Sequence, residues 1–138
     1  MAVLVPALVH AQADTAEPPD TAIAWEEKPY QVIEGKVAAG TYDGYRRYQS
    51  HCHVCPGPDG LGSSYAPGLI DSLAQIGYEG YLEAVIYGIE NVTHAQQSVM
   101  PAFAEVAEVV SQVDDIYSYL KARADGVIGR GRPERLAD

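Results

Sequence analysis

The segment from Pro56 to Leu69 restricts the fold of this chain more than any other stretch. Its letters, PGPDGLGSSYAPGL, contain three prolines and four glycines in fourteen residues. Proline lacks a backbone donor and glycine adds backbone freedom, so this composition predicts a loop rather than a helix or strand. Two cysteines three positions apart, Cys52 and Cys55, come directly before it. The sequence therefore predicts a thiol pair at the beginning of a long loop.

A helix is predicted before this loop, from near Thr41 towards Cys55. Gly44, Tyr48 and Cys52 recur at intervals of four residues, the spacing that places side chains on one face of a helix. The cysteine pair is thus expected at the end of this helix.

Two further helices are predicted after the loop. One covers roughly 78–89, where apolar side chains recur at helical spacing: Tyr78, Leu82, Val85, Ile86 and Ile89. The last helix is expected to begin where Ser111 precedes Asp114 in a capping arrangement, and to end at Asp125–Gly126. Strand patterns are weak throughout. The predicted fold class is therefore all-α, with long connections rich in glycine and proline.

The first residues resemble an export signal. Residues 2–9 form an apolar run, AVLVPALV, much shorter than the roughly 20 residues of a membrane-spanning helix. Small residues that signal peptidase accepts follow the run, so the mature chain is expected to begin near Gln12 or Asp14. The positively charged start of a typical signal is missing, because Lys28 is the first basic residue. The apolar run and the cleavage pattern together favour export to the periplasm over a short hydrophobic arm that is retained.

The composition divides the chain into four parts. We expect a signal segment or its remnant at 1–13, an irregular arm at 14–40, one helical domain at 41–125 and a basic tail at 126–138. Trp25, the only tryptophan, is expected to pin the arm onto the domain.

Negative charge dominates the helical domain. The formal net charge is −10, and nine carboxylates but no lysine or arginine lie between Arg47 and Lys121. Nucleic-acid binding is disfavoured, because it needs a basic surface around the working part of a domain. An acidic surface either steers the protein to a positively charged partner or simply keeps it soluble. Charge alone leaves both interpretations open.

The Cys52–Cys55 pair is compatible with several kinds of chemistry. A thioredoxin-like redox pair follows a strand and begins a helix, whereas this pair ends a helical pattern. A zinc site needs about two more ligands; His51, His53 and His94 are candidates, but the sequence has no second CxxC. A disulfide between the two cysteines would close a very small loop and give little stabilisation. The remaining use is covalent attachment of haem c, which requires the pattern CxxCH.

The haem interpretation accounts for the most residues, although one position departs from it. The fifth residue of the motif is Pro56, which has no ligand atom. Downstream, Met100 is followed by Pro101, and the only other methionine starts the chain. A thioether in a loop stiffened by proline, after CxxC and before an aromatic helix, is suited to bind haem iron.

These pieces occur in an order that resembles the class I c-type cytochromes. More narrowly, the chain resembles the small periplasmic cytochromes that accept electrons from pyrroloquinoline-quinone alcohol dehydrogenases. The matching motifs are Gly44-Tyr45-Arg46-Arg47-Tyr48, Cys52-x-x-Cys55, Gly57-Pro58-Asp59-Gly60-Leu61-Gly62-Ser63, Asn91-Val92-Thr93, Val99-Met100-Pro101-Ala102-Phe103, the run from Asp114 to Arg123, and the tail from Asp125 to Pro133. The resemblance covers about two thirds of the chain, from 42 to 133.

The resemblance implies a fold of about three to five helices around a haem pocket in the domain 41–125. It also implies covalent haem c on Cys52 and Cys55, with Met100 as the distal iron ligand, and a close crossing of the first and last helices at Gly44 and Tyr48. The chain would be an electron carrier rather than an enzyme, except where the iron keeps an open position. Its partners would be a periplasmic quinoprotein dehydrogenase and a downstream cytochrome or oxidase. We expect a monomer with no nucleic-acid partner and no transmembrane span.

In the family, the residue at the position of Pro56 is the proximal histidine, so three outcomes stay open. The chain binds haem poorly or not at all, holds it with Met100 alone or with an exogenous ligand, or uses a neighbouring histidine after local rearrangement. A regular helix turns His53 about 100° away from Cys52, and turns His51 the opposite way. The rival to an electron carrier is a haem-free binding module in which Cys52 and Cys55 form a disulfide or a dithiol.

Overall fold

The computed structural model describes residues 24–64, 66–93 and 96–137. The predicted signal segment at 1–13 and the first part of the arm lie outside these ranges. Helices dominate the described part: α1 (Ala39–His51), α2 (Leu69–Tyr87), α3 (Ala107–Val110) and α4 (Val113–Ala124). Short strands accompany them: β1 (Val32–Ile33), β2 (Lys36–Val37), β3 (Ile89–Thr93), β4 (Gln96–Met100) and β5 (Glu134–Arg135). The predicted all-α, cytochrome c-like architecture is confirmed as a mostly helical fold with a few short strands.

The close crossing of α1 and α4 is the centre of the structure. A Cβ atom at Gly44 would lie only 1.8 Å from the carbonyl oxygen of Asp115, so the two backbones meet where α1 has no side chain. One turn earlier in α1, the hydroxyls of Thr41 and Ser118 share a buried hydrogen bond of 2.7 Å. One turn later, the ring of Tyr48 packs on that of Tyr119, 5.6 Å between centroids. The expected crossing is therefore present, and its closest contact is with Asp115 of α4.

The core surrounds this crossing and is mostly aliphatic and tyrosine side chains. Tyr48, Tyr119, Leu73, Ile116, Leu120, Val37 and Val109 are the largest fully buried side chains. Each of the longer helices contributes to this set, together with Val37 of β2 and Val109 of α3. Burial of these apolar surfaces supplies the main driving force that holds α1, α2 and α4 together.

The helix boundaries differ from the predictions in physical detail. Helix α1 ends at His51, four residues before the predicted end, because residues 52–56 form turns ahead of Pro56. Helix α2 begins at Leu69, and Gly77 interrupts it with φ 64° and ψ −169°, so its first half lies outside the predicted range 78–89. It also ends two residues early, at Tyr87.

The predicted cap of the last helix is wrong. Helix α4 begins at Val113 after Gln112, and no side chain caps it. Ser111 instead ends α3, where its backbone N–H donates to the carbonyl of Ala107 at 2.9 Å. The predicted end is confirmed, because Gly126 adopts φ +71° directly after the helix.

Strand pairing is more extensive than the sequence indicated. Strands β3 and β4 form an antiparallel hairpin whose register pairs Ile89 with Met100 and Glu90 with Val99. A second sheet has the order β1-β2-β5, with β1 antiparallel and β5 parallel to β2. This sheet joins the end of the N-terminal arm to the C-terminal tail.

The arm packs on α4 through Trp25, as predicted. The indole lies 5.3 Å from the ring of Tyr78 and 6.0 Å from that of Tyr117, between centroids. The hydroxyl of Tyr117 also donates to the carbonyl of Glu26 at 3.1 Å. Among the described helices, none is long and apolar enough to cross a lipid bilayer.

Replacing Gly44 with alanine is expected to destabilise the protein by about 3 kcal/mol, because the new methyl group would overlap backbone atoms of α4. Urea unfolding followed by circular dichroism measures this change. Gly129→Ala is the control, since a Cβ there meets nothing within 4 Å, and its effect should stay within about 0.5 kcal/mol. Equal stability of the two variants would contradict the close crossing.

Candidate functional site

The cysteine pair lies in a turn that continues from α1. The N–H groups of Cys52 and His53 both donate to the carbonyl of Tyr48, at 2.9 and 3.1 Å. Sharing one acceptor ends the regular α-helical pattern, and residues 52–56 continue as turns. The two cysteines are free thiols, each partly buried.

Cys52 lies on the inner side of this turn. Its side chain packs against the hydrophobic core, and burial raises the pKa of its thiol to about 11. The thiol is therefore protonated at neutral pH, whereas nucleophilic thiol chemistry needs the thiolate. This environment suits an anchored cysteine better than a reactive redox thiol.

The long loop is folded back on the turn by a set of hydrogen bonds. The hydroxyl of Tyr48 donates to the carbonyl of Gly57 at 2.5 Å, and the N–H of Gly62 donates to the carbonyl of Pro56 at 2.8 Å. The hydroxyl of Ser63 donates to the carbonyl of Cys55. Tyr48, which packs on Tyr119 of α4, therefore also positions the loop beside the cysteines.

The C-terminal tail holds the same loop through Asp59. The carboxylate of Asp59 accepts the N–H of Gly131 at 2.9 Å and the Nε–H of Arg130 at 2.8 Å. The Gly131 N–H, followed by the Arg130 guanidinium, keeps the pKa of this carboxyl below its usual range. Arg123 of α4, buried itself, donates to the backbone carbonyl of Asp59 at 3.3 Å. Asp59 thus connects the long loop to the C-terminal tail through its carboxylate, and to α4 through its backbone carbonyl.

Met100 lies at the end of β4, so the predicted loop position is corrected to a strand end. Its side chain is partly buried and packs against the core. Gly88 makes this placement possible: it adopts φ 76° and ψ 179°, and a Cβ there would lie 2.5 Å from the carbonyl oxygen of Met100. The N–H of Phe103 then donates to the carbonyl of Val85 at 2.8 Å, which fastens the following residues to α2.

The histidines differ in their surroundings. His51 Nε2 lies 3.9 Å from Glu108 Oε2, so His51 faces α3. The Nδ1 atom of His53 is buried and has no hydrogen-bond partner among the described residues. His94 lies outside the described residues. Within the described ranges, no group of three or more His, Cys, Asp or Glu side chains could hold a metal ion, which disfavours the zinc alternative there.

The donor set fits haem c in part. Two thiols are available at the end of α1, and one partly buried thioether is available from β4. These sulfur groups match thioether attachment and axial ligation. Position 56 does not fit, since proline has no atom that can bind iron. By residue type, Cys52 and Cys55 match covalent attachment and Met100 matches an iron ligand, while the nitrogen ligand is missing from its expected position.

Relatives of the chain agree with this description. No protein-family model matches it. The chain is 49% identical over 110 residues to cytochrome c-553I of Paracoccus denitrificans, covering 79% of this chain and 49% of that protein. It is 33% identical over 105 residues to cytochrome c-555 of Methylococcus capsulatus, covering 75% of this chain and 79% of that protein. This chain thus spans about half the length of cytochrome c-553I.

A solved structure shares the fold. The c-type cytochrome XoxG from Methylobacterium extorquens AM1 is 44% identical, with a TM-score of 0.68 over 79% of this chain and 67% of that chain. The mostly helical fold, with its cysteine pair directly after the first helix, is the architecture of these c-type cytochromes. Together with these relatives, it shows that the chain belongs to the class I c-type cytochromes, whose cofactor is covalently bound haem c.

Two supports of the site were not predicted from the sequence. One is Gly88, whose conformation lets β4 approach the end of α2. The other is the contact of Asp59 with Arg130 and Gly131. The sequence contained a signal for both, since Gly88 follows an apolar stripe and the tail is rich in arginine and glycine. Neither pattern shows which residues these segments contact.

The buried thiol gives a testable consequence in haem-free protein. With Cys55→Ser, alkylation of Cys52 by iodoacetamide at pH 8 should be about a hundredfold slower than in the same protein unfolded by urea, because its pKa rises from 9.0 to about 11. Mass spectrometry over time measures the rate. Cys52→Ser, which leaves Cys55, is the matched comparison. Rapid alkylation of folded Cys52 would contradict its burial.

Gly88→Ala should cost more stability than Gly126→Ala. Both glycines have positive φ, at 76° and 71°, but only at Gly88 would a Cβ overlap the backbone of Met100, while nothing lies within 4 Å of one at Gly126. Positive φ costs about 1–2 kcal/mol at Gly126 and about 1–3 kcal/mol at Gly88, whose φ 76° and ψ 179° are almost exclusive to glycine. The overlap adds to the cost at Gly88. Urea unfolding of both variants measures the difference. Equal losses would show that Gly88 does not position Met100.

Proposed function

We propose that this chain is a periplasmic electron carrier that holds haem c on Cys52 and Cys55, with Met100 as an iron ligand, and accepts electrons from a quinoprotein alcohol dehydrogenase. The observation that carries the proposal is the cysteine pair, retained at the end of the helix that crosses α4, in a chain that belongs to the class I c-type cytochromes. When bound, haem c supplies reversible one-electron chemistry.

The protein residues have positioning roles in this proposal. Cys52 and Cys55 fix the cofactor to the turn, and the loop tied to Tyr48 limits how that turn can move. The thioether of Met100 favours ferrous iron and so raises the reduction potential relative to two imidazole ligands. The chain itself makes and breaks no substrate bond.

The surface supports docking to a basic partner. Of the nine carboxylates between Arg47 and Lys121, seven are exposed: Asp71, Glu79, Glu83, Glu90, Glu105, Glu108 and Asp114. Apolar side chains are exposed next to the proposed sulfur residues in the sequence, with Val54 70% accessible between the cysteines and Val99 57% accessible before Met100. Exposed apolar residues on a surface of like charge suit a brief, electrostatically steered encounter.

The narrower part of the proposal comes from the motifs that resemble dehydrogenase-linked cytochromes. The electron donor would be a quinoprotein alcohol dehydrogenase, and the acceptor a downstream cytochrome or oxidase. The apolar run at residues 2–9 supports export to the periplasm. We propose that the carrier acts as a monomer.

A haem-free binding module is the second candidate, and Pro56 favours it. In that case the scaffold would be kept while Cys52 and Cys55 remained a dithiol or formed a disulfide. The raised pKa of Cys52 argues against a redox-active thiol, so this candidate would bind a partner rather than exchange disulfides.

Reduction of the carrier by a purified quinoprotein alcohol dehydrogenase should slow as ionic strength rises, because salt screens the steering charges. Glu90→Gln removes an exposed charge in β3, paired in register with Val99, and should slow the second-order reduction at low salt by about twofold. Glu26→Gln, in the short 3-10 helix of the arm, should leave the rate unchanged. Stopped-flow absorbance measures both.

Two results would oppose the proposal. A reduction rate that depends neither on salt nor on Glu90 would contradict docking through the acidic surface, but it would not contradict the carrier function. A haem-loaded protein that the dehydrogenase does not reduce, but that a small uncharged reductant does, would exclude this class of donor.

A further inference from the structure

The proposed haem site lacks a second protein ligand to the iron. Cys52 and Cys55 supply the covalent anchors and Met100 supplies one iron ligand, but Pro56 cannot supply the second. An imidazole from elsewhere in the chain is the ligand type that would complete a methionine–histidine pair.

His53 has an unexplained buried nitrogen. Its Nδ1 atom is out of contact with solvent and has no hydrogen-bond partner among the described residues. Leaving such a group unpaired costs free energy, so native proteins nearly always pair it with a donor, an acceptor, water or an ion. This imidazole lies between the two anchoring cysteines in the sequence.

The turn removes His53 from regular helical geometry. In a regular helix His53 would point well away from Cys52, but the helix ends at His51 and the N–H groups of Cys52 and His53 share the carbonyl of Tyr48. Within the turn, Val54 is the residue that faces solvent, at 70% exposure, while its neighbours are partly buried. A regular helical projection therefore does not describe this segment.

Pro56 is consistent with this local arrangement. Proline disfavours the α conformation in the residue before it, here Cys55. The residue that lacks the expected ligand thus also disfavours helical geometry at Cys55, in the same turn as His53.

The other candidates among the described residues are accounted for. His51 lies 3.9 Å from Glu108 and faces α3. Two other buried polar atoms lack partners, Tyr119 Oη and Arg123 Nε. Both are on α4, one turn apart. Burial raises the pKa of the Tyr119 phenol to about 12, so it keeps its proton, and a guanidinium does not release its proton to bind a metal.

We propose that His53 supplies the nitrogen ligand to the haem iron in place of residue 56. This inference rests on the proposed function, since it assumes that haem c is held by Cys52 and Cys55. It makes the chain a c-type cytochrome whose axial histidine lies inside the CxxC motif.

The test compares five forms of the full chain produced in the periplasm with cytochrome maturation machinery: the unaltered protein, His53→Ala, His51→Ala, Pro56→His and the double variant His53→Ala/Pro56→His. Two properties are measured on each. Haem that stays with the denatured polypeptide reports attachment, and the visible and electron paramagnetic resonance spectra report the spin state and ligands of the iron.

The proposal expects low-spin, six-coordinate iron in the unaltered protein and in His51→Ala. His53→Ala should lose the low-spin spectrum or the haem itself, and the double variant should regain both, which also shows that His53→Ala does not simply prevent folding. Added imidazole should restore a low-spin spectrum to any His53→Ala protein that still carries haem.

Three results would overturn it, and they are distinguishable. A His53→Ala spectrum identical to that of the unaltered protein shows that another group binds the iron. Haem in Pro56→His but none in the unaltered protein shows that His53 does not replace residue 56, while the cytochrome scaffold is intact. Absence of haem from all five forms removes the proposed function as well.

Discussion

The backbone contact between α1 and α4 at Gly44 is the constraint on which the rest of the structure depends. Because no side chain separates the helices there, Tyr48 can pack on Tyr119 in the next turn and still reach the carbonyl of Gly57. The same helix then ends in the cysteine turn. One packing contact in the core thus sets where the two cysteine thiols and the long loop lie. A wider crossing would shift both thiols and the loop.

The sequence predicted the scaffold better than the local geometry. Helical spacing of apolar residues indicated the later part of α2 and all of α4, because periodic burial is a property of each segment by itself. The hairpin that carries Met100 was missed, since strand pairing depends on a partner that a single segment does not reveal. The early end of α1 was missed for a related reason: Tyr48 accepts two N–H groups, and no spacing rule reports a shared acceptor.

The candidate site shows the same division. Cys52, Cys55 and Met100 could be named from the sequence because their residue types and order match a known chemistry, and they remain the proposed attachment points and iron ligand. The burial of His53 Nδ1 could not be named, because a helical projection assumes a helix that continues to Cys55, whereas α1 stops at His51. The conflict at Pro56 and the unpartnered Nδ1 of His53 lie three residues apart, and a single iron ligand would account for both.

The central claim is that this polypeptide carries haem through sulfur on the turn after α1. The intact mass of the denatured, purified protein, made in a periplasm that contains cytochrome maturation machinery, tests that claim most directly. The account predicts one species, heavier than the mature polypeptide by one haem, and loss of the added mass when both Cys52 and Cys55 are replaced by serine. A mass equal to that of the bare polypeptide, in the unaltered chain and in Pro56→His alike, would contradict it.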